Sequence, residues 1–219
     1  MKFKPAIAVF LALLFAGVGT HLTAKNTGIN VKLDREKLER GELQVFEFNR
    51  GKEKRVIGVI LIDAGPAETW RVVKNWSRVP SYSPSMKYYR TVHVVGSGKG
   101  KTEKLIEGKM KVAFLSIVYT LDVVFDNISK RQTWRLLTES ERQKYLKQNI
   151  SLKEKDSKIK RIDGFGYVEA YDNGSRSLYY YAPVVEVAVP VPAFVERALV
   201  KSSLHDFMKG VKRTAESGR

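Results

Sequence analysis

The sequence contains no cysteine. Disulfides, thiolate metal sites and a lipidated-cysteine anchor are therefore excluded, and the fold must be held by its core alone. Histidine is scarce too: His21, His93 and His205 are the three, with no H-E-x-x-H spacing, so neither a metal nor another cofactor is expected. No serine stands in a G-x-S-x-G elbow, which leaves a nucleophilic triad unsupported. Long apolar runs are missing, since the stretch from Ala6 to Val18 is shorter than the ~20 residues a membrane-spanning helix needs. Acidic residues fall far short of basic ones, 23 against 39, for a formal charge of +16. That charge favours anionic surfaces. Its densest part, Arg142 to Arg161, is nearly free of aromatic residues and lacks the stacking groups of a single-strand nucleic-acid platform, so no nucleic-acid partner is expected. The stretch reads first as a solvated loop or edge and second as a membrane-docking patch.

What is present begins with Lys2 and Lys4, the apolar run, and Leu22 and Ala24 at the spacing of a cleavage site. This three-part pattern predicts a signal peptide over 1–24, cleavage after Ala24 and a periplasmic or secreted protein; an uncleaved anchor is the alternative. Residues 25–41 are polar and predict a linker with a short helix. With 43% hydrophobic residues, 42–217 is long enough for one well-packed domain, expected to be monomeric.

Two strand-like runs, Leu43 to Phe48 and Val56 to Ile62, flank the turn signal Asn49-Arg50-Gly51. Pro66 starts a helix over Ala67 to Asn75, and Pro80 and Pro84 prevent its continuation. Tyr88 to Val95, Lys101 to Val112, Ser116 to Phe125 and Thr133 to Thr138 come next as strands, with Ile117, Tyr119, Leu121, Val123 and Phe125 sharing one face. The glycine-rich Gly96 to Lys101 joins two strands and has no helix start to hold a phosphate, so it reads as a hairpin turn. Phe165 to Tyr171 and Ser177 to Val189 flank Asn173-Gly174 and predict another hairpin, its second strand apolar on both faces in places. From Pro192 a long helix carries Phe194, Val195, Ala198, Leu199, Phe207, Met208 and Val211 at three- and four-residue steps. The fold class is α+β: a curved antiparallel sheet around a long C-terminal helix, with one or two short helices after the first two strands. Such a pairing leaves a cavity that the helix alone does not fill.

The segments GVILIDAGPAETWRVVKNWSRVPSYSPSMKYYR and GFGYVEAYDNGSRSLYYYAPVVEVAVPVPAFVERALVKSSLHDFMKGVKRTAE carry a resemblance. Together they resemble the START-like (SRPBCC) superfamily, in its polyketide cyclase/dehydrase and coenzyme-Q-binding branch. Ala64-Gly65-Pro66, Trp70, Asn75 to Pro84 and Val191 to Phe194 match the motifs, over about Leu43 to Glu216; Asn75 stands where many members have aspartate. The resemblance implies the helix-grip fold and an apolar cavity with the short-helix segment at its mouth. It places Trp76, Tyr82, Met86, Trp134, Tyr167, Tyr180, Phe194 and Leu199 as ligand-binding candidates. Glu186, between Val185 and Val187, is either a cavity carboxylate or an outward edge residue. The function expected is sequestration or transfer of a lipid, sterol-like molecule or quinone, with peripheral contact to anionic membrane. No catalytic residue is singled out. The alternative is a polyketide cyclase or aromatase using the same cavity.

Overall fold

The computed structural model describes residues 21–23, 31–51, 53–112, 114–154, 156–188, 190, 192 and 201–218. β1 (His21–Thr23), inside the expected leader, pairs antiparallel with β2 (Lys32–Asp34). Asp34 then caps α1 (Arg35–Glu39) through its carboxylate. β3 (Gln44–Arg50) and β4 (Glu53–Ile62) form the first hairpin, with Gly51 at φ 64 in its turn. Pro66 occupies the first turn of α2 (Pro66–Val73). A 3₁₀ helix, Trp76–Ser81, contains Pro80 and ends before Pro84, so the chain there turns without building a second α-helix.

β5 (Met86–Gly98), β6 (Lys101–Val112), β7 (Leu115–Asp126) and β8 (Arg131–Leu136) run as an antiparallel meander. The glycine-rich segment is the β5–β6 turn, with Lys99 and Gly100 both at positive φ. β9 (Ile159–Tyr171) and β10 (Arg176–Val187) are the last hairpin, turned by Asp172, Asn173 and Gly174 in left-handed conformation. The eight strands β3 to β10 form one curved sheet in the order β3-β4-β10-β9-β8-β7-β6-β5. A π-helical turn at Lys201–Asp206 leads into α4 (Phe207–Glu216), whose Met208, Val211 and Ala215 are completely buried against the inner face. This is the helix-grip arrangement.

The sheet is apolar on both faces because both are covered. Inside, Ile60, Ile62, the β7 face and α4 form the main core with α2. Outside, Val31, Leu33 and Leu38 of the N-terminal segment cover Ile57, Val59, Leu61, Phe165, Tyr167 and Tyr180. Farther along the outer face, Leu105, Leu137 and Leu152 form a third cluster. This corrects the reading of the lysine-rich stretch as a loop or edge. Its first part is α3 (Glu139–Lys147), begun by a complete capping box in which Thr138 and Glu141 satisfy each other's backbone N–H. A polar helix forms there because its cap is strong and the apolar residues flanking it reach the sheet.

Candidate functional site

Between the inner face, the 3₁₀ segment and the start of α4 lies a cavity of about 70 Å³. The strand period decides who lines it. On β7, Tyr119 and Leu121 face inward as the alternation predicts; on β10, Tyr181, Pro183 and Val185 do. Trp76 and Val79 come from the 3₁₀ segment, Met86 and Tyr89 from β5, Met110 from β6, Trp134 from β8, and Phe207 from α4. Two close approaches make the packing possible. A Cβ at Gly164 would lie 2.3 Å from the Trp134 indole, and one at Gly108 would lie 2.6 Å from the Tyr89 ring and 2.9 Å from that of Tyr119. Glycine at these positions gives the large rings room on the sheet.

The aromatic side chains form a connected wall. Trp76 meets Tyr89, Trp134 and Phe125 edge to face at centroid distances of 5.1, 5.8 and 6.3 Å. Trp134 stacks on Tyr181 at 5.2 Å, and Tyr181 packs on Phe207 at 4.5 Å. Among the described residues every lining side chain is neutral, and the polar groups are hydroxyls and the indole N–H groups of Trp76 and Trp134. The Tyr89 and Tyr119 hydroxyls share a hydrogen bond of 2.9 Å, and the Trp76 indole donates to Gln132 Oε1 at 2.9 Å. Gln132 is completely buried and donates in turn to the Tyr179 hydroxyl at 3.4 Å. Burial pushes the Tyr89 phenol up to about 12 and raises those of Tyr119 and Tyr181 well above the ordinary tyrosine value. The cavity therefore offers neutral phenols, able to donate a hydrogen bond and unable to act as bases near neutral pH.

Of the residues expected at a binding site, Trp76, Met86 and Trp134 line the cavity. Tyr82 lies beside it, packed on Phe207 at 6.1 Å and against Gly210 of α4. Tyr167 and Tyr180 are corrected: they stack on each other at 4.3 Å on the outer face, beneath the N-terminal segment. Phe194 and Leu199 lie outside the described residues. Glu186 points outward, where Arg161 and Lys160 hold it at 3.4 and 3.3 Å. Tyr89, Tyr119, Tyr181 and Phe207 were missed. For Tyr119 the signal was present in the period of β7. For Tyr181 it was not, because Tyr179-Tyr180-Tyr181 is apolar at both phases and only pairing decides which ring faces inward.

No protein-family model and no curated protein matches the sequence. Solved structures do match in three dimensions. A START superfamily protein from Mycobacterium smegmatis aligns at TM-score 0.55 and 13% identity, covering 74% of this chain and 97% of that one. The Zhui aromatase/cyclase from Streptomyces sp. R1128 aligns at TM-score 0.53 and 12% identity, over 80% and 94%. A STAR-related lipid transfer protein from Xanthomonas axonopodis aligns at TM-score 0.53 and 9% identity, over 79% and 93%. The chain has the START-like fold.

Proposed function

We propose, on the basis of the START-like fold, that the protein is an exported carrier that holds a lipid or a comparable hydrophobic molecule in the inner cavity. The observation that carries this reading is the lining: among the described residues it is aromatic, aliphatic and thioether side chains with neutral hydroxyls, and no carboxylate, ammonium or imidazole. Binding then rests on removing apolar surface from water, at ~25 cal/mol per Å². The lipid transfer protein and the aromatase/cyclase among the structural neighbours represent the two uses of such a cavity. Among the described lining residues there is no charged acid or base, which favours carriage over proton-transfer chemistry.

The cavity, about 70 Å³, is well below the ~300–1,000 Å³ of a pocket that encloses a drug-sized ligand. Entry must therefore open it. Met86 and Met110, flexible thioethers on adjacent strands, and Phe207 at the α4 start are the groups able to move aside and enlarge the cavity around a bound molecule. Beyond Met110 the β6–β7 tip carries Phe114, 68% exposed, among Lys109 and Lys111. That combination supports contact with an anionic membrane at this tip. The leader pattern supports a periplasmic or secreted location.

Native mass spectrometry and lipid extraction of the protein from its own host test the reading. A stoichiometric hydrophobic molecule is expected. Absence of any such molecule, together with no change in tryptophan fluorescence on titration with lipids, refutes carriage.

A further inference from the structure

A second cavity, about 170 Å³, adjoins the first. It lies between the end of α2 and the β5–β6–β7 surface, and is lined by Lys74, Asn75, Ser77, Thr91 and Lys104 over Ile106 and Phe125. Trp76 and Tyr89 belong to both cavities. Their rings, 5.1 Å apart between centroids, are thus a shared wall between an apolar chamber and a cationic one.

Among the described residues the cationic chamber has no carboxylate in its lining. Lys74 Nζ is 3.4 Å from Asn127 Oδ1, and Lys104 Nζ sits 5.9 Å from the centre of the Phe125 ring. Among the described residues neither ammonium has an acidic partner, so both charges are available to an anion. Asn75 keeps the site free of negative charge, accepting from the Ser77 hydroxyl at 2.7 Å. Two ammonium groups with neutral hydroxyl and amide groups, lining one chamber over the buried floor of Ile106 and Phe125, fit a carboxylate or a phosphate monoester.

We infer that the carried molecule is an anionic single-chain amphiphile, its headgroup between Lys74 and Lys104 and its hydrocarbon chain passing the Trp76–Tyr89 wall into the inner cavity. This rests on the carrier reading and adds the ligand's charge and its direction. It also accounts for the small volume: without a chain in place the two rings meet and divide the space. Anchoring the head outside the wall leaves the tail as the only part that must enter.

The test compares dodecanoate and dodecyl phosphate with dodecanol by tryptophan fluorescence titration at low and high salt, on the wild type, the Lys74→Gln/Lys104→Gln double variant and Asn75→Asp. Thermal melts check that each variant is folded. In the wild type at least one anion binds about tenfold or more tighter than the alcohol, and salt reduces the difference. The double variant loses that advantage with dodecanol affinity unchanged, and Asn75→Asp weakens the anions selectively. Equal affinity for all three probes in the wild type overturns the inference and leaves carriage standing, as does an anion advantage that survives in the double variant. Binding of none of them overturns the inference, and carriage then stands or falls on the lipid extraction.

Discussion

Gln132 is a completely buried amide that holds the cavity wall in place, so replacing it with leucine tests the wall directly. Leucine keeps the volume and removes both hydrogen bonds. The Trp76 indole N–H, whose 2.9 Å bond to Gln132 is short and buried, is then left without its acceptor. An unmet buried donor costs about 1–3 kcal/mol. The 3.4 Å contact to the Tyr179 hydroxyl is long and adds little. A loss near 2 kcal/mol is therefore expected, about 4–8 °C in Tm for a domain of this size. Trp76→Phe removes the donor and also some ring volume, so it destabilises by itself. In the double variant the unmet N–H no longer exists, and the combined loss should fall short of the sum of the single losses by about 1 kcal/mol or more. Thermal and urea unfolding followed by circular dichroism give all four corners of the cycle. Additive losses, or a Gln132→Leu variant as stable as the wild type, would refute the claim that this bond fixes Trp76.

Gly108→Ala should destabilise by about 1–3 kcal/mol and change the near-ultraviolet dichroism, because its Cβ meets the Tyr89 and Tyr119 rings at 2.6 and 2.9 Å; an unchanged spectrum counts against the tight packing. The Glu141 carboxyl is held down at about 2, from 4.5, chiefly by hydrogen bonds from Arg135, with Thr138 assisting. Its contribution to the α3 cap is thus present above about pH 4.5 and lost as pH falls toward 2, so amide exchange in α3 should accelerate across that window in the wild type and much less in Glu141→Gln. Phe114→Asp should lower retention on anionic vesicles and leave Tm unchanged, since the ring is 68% exposed; a large fall in Tm would make Phe114 a packing residue instead.

Much of the fold was legible because its signals are local. Pro66 opens α2, and Pro80 and Pro84 keep the next segment from forming an α-helix, since proline fixes φ and lacks an amide hydrogen. Asn173-Gly174 turns β9 into β10 because both adopt positive φ, at 54 and 87. The inward side of β7 came from simple alternation. In α3, by contrast, a charged composition hid a strong capping box, and the helix rests on the outer face through flanking leucines.

By itself the sequence determined the order of the main strands and of α2, the turns, the curved antiparallel sheet with its terminal helix, and the absence of cysteine chemistry. These depend on backbone preferences and on periodicities of two and 3.6 residues, which neighbours in the chain express. Only the tertiary structure decided which aromatic rings meet. Tyr180 and Tyr181 are adjacent in sequence, yet one lies under the N-terminal segment and the other faces the cavity. A strand covered on both sides has no polar face to mark its orientation. The juxtaposition of the lysine chamber with the apolar one likewise arises from packing, since Lys74 and Lys104 come from a helix end and a strand that meet only in the folded chain.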